Sequence, residues 1–90
     1  MPKNIAQNRR THAELRHHIL KSLQDSKKSI HEISTDSGIN WKTVELHLTF
    51  LKGKEYVAEV FRHHQLRIFE ITKLGFNDLK IENDKKRYNI

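Results

Sequence analysis

The chain has no cysteine, a single proline, three glycines and one tryptophan among its 90 residues. Without cysteine there is neither a disulfide nor a thiolate zinc site, and the redox compartment stays open. No glycine-rich phosphate loop, nucleophile elbow or convergent carboxylate pair is visible, so the sequence offers no basis for catalysis or a cofactor. No apolar run approaches the ~18 residues that a membrane helix needs. The basic start, Met1-Pro2-Lys3-Asn4 and then Asn8-Arg9-Arg10, lacks the apolar centre of a signal peptide. These absences predict a cytoplasmic protein that is not an enzyme and does not enter a membrane.

What is abundant is positive charge. Seventeen Lys and Arg against eleven Asp and Glu give a net charge of +6, with seven histidines besides, a balance that favours a polyanionic partner. Ninety residues make one small domain. Its hydrophobic content of 36% is low for a self-sufficient globule, which favours a core extended by a second copy.

The stretch from Ser29 to Val57 organises the rest. Ser29 with Glu32 three residues later forms a capping box, which opens a helix. Gly38 can take the left-handed conformation that closes it, and Asn40 offers a side-chain oxygen to begin the next. Projected at about 100° per residue, Trp41, Val44, Leu48 and Leu51 share an inward face, met by Ile30, Ile33 and Ile39. Lys42, Glu45, Leu46 and Thr49 point outward. Two short helices joined by a tight turn make a helix-turn-helix, which commonly delivers its second helix to the DNA major groove. Any two short amphipathic helices share part of this pattern, but here caps, turn and hydrophobic phase agree.

Before this stretch, residues 1–10 read as a basic arm. Thr11 and Glu14 form another capping box, opening a helix with Leu15, Ile19, Leu20 and Leu23 on one side and an end near Asp25-Ser26. After Leu51 the helix runs out through Lys52-Gly53-Lys54, and from Tyr56 the period changes to two. Val57, Glu59 and Phe61 alternate with Ala58 and Val60, and Leu66, Ile68 and Glu70 with Arg67, Phe69 and Ile71, as in strands. The tip near His63–Gln65 lacks an Asn-Gly or Asp-Gly pair, which predicts a looser loop than a two-residue turn. Thr72 caps a last helix with Leu74, Phe76, Leu79 and Ile81, and a frayed basic tail covers 83–90. The predicted fold is α+β, mostly α: a three-helix core, a β-hairpin wing and a C-terminal helix within residues 11–82, the order of a winged helix-turn-helix.

At these residues the chain resembles a family. Asn40-Trp41-Lys42-Thr43-Val44, Leu48, Leu51 and Tyr56-Val57, then the hairpin and Ile71-Thr72-Lys73-Leu74-Gly75, look like winged-helix regulators of the MarR and ArsR types, and most like small archaeal winged-helix DNA-binding proteins. Such proteins often carry glycine just before the first wing strand, where this chain has Glu55. The resemblance implies a nucleoid-associated regulator of transcription that binds double-stranded DNA as a homodimer. Residues 40–52 would be the recognition helix and 57–71 the wing.

The expected DNA-binding residues are Lys42, Thr43, Glu45, Leu46 and Thr49 on the helix and Arg62, His63, His64 and Arg67 on the wing. Lys42 and Thr43 occupy the first turn, where such helices reach the groove. Glutamate can accept from cytosine N4, and Leu46 can meet a thymine methyl group. Arginine suits a narrow minor groove. A solvated face is the plainer account of each. The histidine pairs His17-His18 and His63-His64 suggest metal, but neighbours on a helix diverge by about 100° and no carboxylate pair completes a site. No metal is expected, and nothing names an effector ligand. Two other functions fit the same residues: a protein-interaction module using Glu45, Leu46 and Phe50, or a chromatin-like architectural protein with little sequence preference.

Overall fold

The computed structural model describes residues 10–88, with side chains through Ile81. Helix α1 (His12–Ser22) leads to a short strand β1 (Lys28–Ser29), then to α2 (Ile30–Ser37) and α3 (Trp41–Gly53). Strands β2 (Val57–His63) and β3 (Leu66–Ile71) follow, and α4 (Lys73–Tyr88) ends the fold. The basic arm lies outside the described residues except for Arg10. Helix α4 continues to Tyr88, so 83–88 is helical rather than frayed.

The caps form as the sequence dictates. Thr11 and Glu14 exchange side-chain and backbone bonds of 2.9 and 3.0 Å, and Ser29 and Glu32 do so at 2.8 and 3.1 Å. Each box satisfies two N–H groups that a helix start would otherwise orphan. Gly38 closes α2 at φ 72°, and the Asn40 oxygen accepts the Lys42 N–H at 2.8 Å. Helix α1 stops at Ser22 with Leu23 as its cap, short of the expected Asp25-Ser26.

The exit from α3 resolves the question raised by Glu55. That residue adopts φ 65°, donates its N–H to the Lys52 carbonyl, and is followed by a Tyr56 N–H donated to Leu51. This pairing is a Schellman motif, with glutamate in the left-handed position that glycine usually fills.

Two features of the sheet were not expected. Ser29 pairs with Ile68 and Lys28 with Phe69, so β1 joins the hairpin in an antiparallel sheet of order β1-β3-β2. The hairpin tip is also tighter than a loose loop. Only His64 and Gln65 connect paired His63 and Leu66, and His64 takes φ 56° in place of the glycine whose absence argued against a short turn.

The core joins Ile19, Leu20 and Leu23 of α1 to Ile33, Ile39, Val44, Leu48 and Leu51 of the helix-turn-helix. Val57 and Phe69 of the sheet and Leu79 of α4 complete it. Each such side chain contributes about 1.5–3 kcal/mol when fully buried. The helical phase assigned Trp41 to this core, yet it is 53% exposed, and His47 is buried in its place at 3%. The core arc of α3 is centred between Val44 and Leu51, and Trp41 and His47 stand about 60° to either side. Helix α1 covers the His47 edge. The Trp41 edge opens toward the wing.

Candidate nucleic-acid interface

Three arcs divide the surface of α3. Lys42, Leu46 and Thr49 lie on the outer arc and are all exposed, Leu46 by 66%. The Thr49 hydroxyl donates back to the Glu45 carbonyl at 3.1 Å. Thr43 sits apart from these three, half-buried in a small groove with Leu15, Ile39 and Asn40.

The edge facing α1 carries Phe50 and His47. The Arg16 guanidinium lies 3.6 Å from the centre of the Phe50 ring, a cation–π contact, and its Nε donates to His47 Nδ1 at 3.3 Å. His12 meets the His47 ring edge-on at 5.1 Å. Burial, then the charges of Arg16 and His12, lower the His47 pKa below that of an ordinary imidazole. Its Nδ1, taking the Arg16 N–H, serves as a structural acceptor between α1 and α3. Nothing in a lone histidine within an amphipathic helix announces this; its phase beside Val44 and Leu51 was the available sign.

The edge facing the wing carries Glu45 and Lys52, and here the charges expected at the DNA surface meet each other. Arg67 donates from Nε and Nη2 to the two oxygens of Glu59, at 2.9 and 3.2 Å, and from Nη1 to Glu45 at 3.2 Å. Arg62 donates to Glu59 at 2.9 Å, and Lys52 does so at 3.0 Å. The Glu59 side chain is 8% exposed and that of Arg67 18%, against 60% for Arg62. Hydrogen bonds from Arg67 and Arg62, and then from Lys52, hold the Glu59 carboxyl well below the usual carboxylate range against the opposing effect of burial. The bond to Glu59 in turn raises the Arg67 pKa. Sequence reasoning missed Glu59, which it counted only as one term of an alternation.

The wing therefore presents its expected residues unequally. Arg62, His63 and His64 are exposed, the two imidazoles meeting edge-on at 4.1 Å. Arg67 is committed inward, and Glu45, whose side chain stays 43% exposed, is paired with it. Between α3 and the wing runs a groove of about 670 Å³ lined by Ile30, His31, Trp41, Arg62, His64 and Gln65, with Glu45 and Arg67 along it. Among the described residues no group of three or more His, Cys, Asp or Glu could hold a metal ion, and no helix is long and apolar enough to cross a membrane.

The winged helix-turn-helix family model matches residues 9–89. No curated protein matches the chain. Among solved structures, a PadR family transcription regulator from hypervirulent Clostridium difficile R20291 is similar at TM-score 0.75 and 17% identity, over 82% of this chain and 88% of that one. Bordetella bronchiseptica BpsR, described with a mechanism for regulation of its DNA binding by 6-hydroxynicotinic acid, is similar at TM-score 0.75 and 16% identity. That match covers 90% of this chain and 58% of the longer one. Sso10a-2, a DNA-binding protein from Sulfolobus solfataricus, is similar at TM-score 0.74 and 24% identity, over 89% and 84% of the two chains. At such identities the likeness is one of fold.

Proposed function

The chain belongs to the winged helix-turn-helix family, and on that ground we propose that it binds duplex DNA as a regulator of transcription. Residues 40–52 form the recognition helix and 57–71 the wing, in a domain spanning 11–82 flanked by basic ends. The observation that carries the reading is the outer arc of α3, where Lys42, Leu46 and Thr49 are all exposed. Lys42 and Thr49 reach base edges and Leu46 a thymine methyl group. Thr43 and Glu45 flank this arc. Arg62, His63 and His64 of the wing contact the backbone or minor groove, with Arg67 behind them. No catalytic role or cofactor is part of this reading, which places the protein with the nucleoid in the cytoplasm.

The homodimer is proposed on the apolar side chains of α4. Leu74 is 52% exposed and Ile81 55%, with Phe76 at 40%, apolar surface that a partner would cover. A twofold dimer would set two recognition helices one DNA turn apart, about 34 Å. The exposure of Leu46 and Trp41 also supports a second reading, a protein-docking module.

Selection of bound fragments from random duplex DNA tests the proposal. Enrichment of a sequence with twofold symmetry is the expected result. Binding without enrichment would support an architectural role, and no binding at low salt, together with a stable protein complex, would support docking.

A further inference from the structure

We infer that Glu59 is a positioning residue for DNA recognition, whose carboxylate sets the wing at a fixed angle to the recognition helix so that both engage one duplex selectively. The inference rests on the DNA-binding reading above. Two ion pairs cross from α3 to the wing, Lys52 to Glu59 at 3.0 Å and Glu45 to Arg67 at 3.2 Å. Glu59 also holds Arg62 and Arg67, each at 2.9 Å, so one carboxylate gathers a cation from the helix, one from β2 and one from β3.

A backbone irregularity makes this possible. Glu59 pairs with Phe69, but the next pair is Phe61 with Ile68, so Val60 is a bulge. In a regular strand, residues 59 and 62 would face opposite sides of the sheet. The extra residue restores Arg62 to the face of Glu59, opposite Arg67, as bulges beside functional surfaces often re-aim a side chain.

The burial of the carboxylate decides what it does. At 8% side-chain exposure Glu59 is not a surface charge that a phosphate would displace, whereas Arg62 and Lys52 keep 60% and 50% of their side chains exposed. DNA can therefore reach the outer cations while the inner pair stays closed. A recognition surface held by a supporting shell binds with less ordering cost and discriminates better than one whose parts move independently.

The test compares Glu59→Gln with the unaltered full chain on two duplexes, one selected from a random library and one random, over a salt series. Loss of the negative charge leaves affinity for random duplex undiminished, while preference for the selected duplex falls about tenfold. A merely destabilised protein would lose both affinities together, and that parallel loss would overturn the inference. Undiminished preference in a folded Glu59→Gln protein would overturn it also. If that variant does not fold, Glu59→Asp serves. It keeps the charge but is one methylene too short to hold Lys52 and both arginines, and a reduced preference of about threefold is expected; unchanged preference would overturn the inference. If the unaltered chain binds no duplex, the DNA reading fails and the inference falls with it. If it binds but selects nothing, duplex binding stands, the role passes to an architectural one, and the inference fails.

Discussion

Gly75 lies directly against the backbone of Tyr56. A Cβ at position 75 would overlap the Tyr56 carbonyl oxygen and stand 2.9 Å from the Ile71 side chain. Thr72 holds the two segments at this distance. Its N–H donates to that same carbonyl at 3.0 Å, its hydroxyl donates to the Glu55 carbonyl at 2.6 Å, and the same oxygen accepts the Gly75 N–H at 3.1 Å. The start of α4 is thereby fastened to the turn that feeds the wing.

Gly75→Ala is accordingly expected to destabilise the fold by about 1–3 kcal/mol, because the obstacle is backbone and cannot rotate away. Gly53→Ala acts oppositely. Among the described residues nothing stands within 4 Å of a Cβ there, so the last turn of α3 gains about 0.5–1 kcal/mol from the better helix former. Thermal melts of the two variants check both signs.

Glu55→Gly is expected to raise stability by about 0.5–1 kcal/mol, because a residue with a Cβ occupies a left-handed position at a cost of about 1–2 kcal/mol, part of which glycine returns as chain entropy. A rise of roughly 4–8 °C in the melting midpoint per kcal/mol follows for a domain of this size. An unchanged or lowered midpoint would show that the Schellman turn is not strained.

Local rules made the helices and their caps legible: Thr11 with Glu14, Ser29 with Glu32, Gly38 and Asn40 all act within four residues of their partners. The winged order of elements followed from the change of period at Tyr56. What stayed hidden depended on residues far apart in the chain. Strand β1 is two residues long and exists only because Ile68 and Phe69 are opposite it. The bulge at Val60 leaves no mark in the alternation. Trp41 and His47 are equivalent edges of one amphipathic arc, and only the position of α1 decides which is covered. The ion pairs of Arg67 redirect a residue whose composition alone suggests phosphate.

The stability of the protein is expected to fall as pH drops below the ordinary histidine range. His47 has a lowered pKa in the fold, so the unfolded chain takes up its proton first and gains relative to the native state. The contribution is complete above about pH 6.5 and is lost progressively below it. Urea midpoints measured from pH 8 to pH 5 are expected to decline less for His47→Gln, whose side-chain oxygen can still accept from Arg16. An identical decline in both proteins would contradict the role of His47.

Lys42 and Arg62 are expected to divide recognition from attraction. Lys42→Ala removes a base contact worth about 1–3 kcal/mol of discrimination. Arg62→Ala weakens selected and random duplexes alike and reduces the salt slope by about one unit. Titrations at several salt concentrations separate the two effects, and an unchanged salt slope for Arg62→Ala would mean that the wing stands clear of the DNA.

The most direct test of the DNA-binding account is a map of backbone amide shifts while the isotope-labelled chain is titrated with duplex DNA. Shifts are expected to concentrate at residues 42–49 of α3 and 61–66 of the wing. Shifts centred on α1 or α4, or no shifts at low salt, would contradict it.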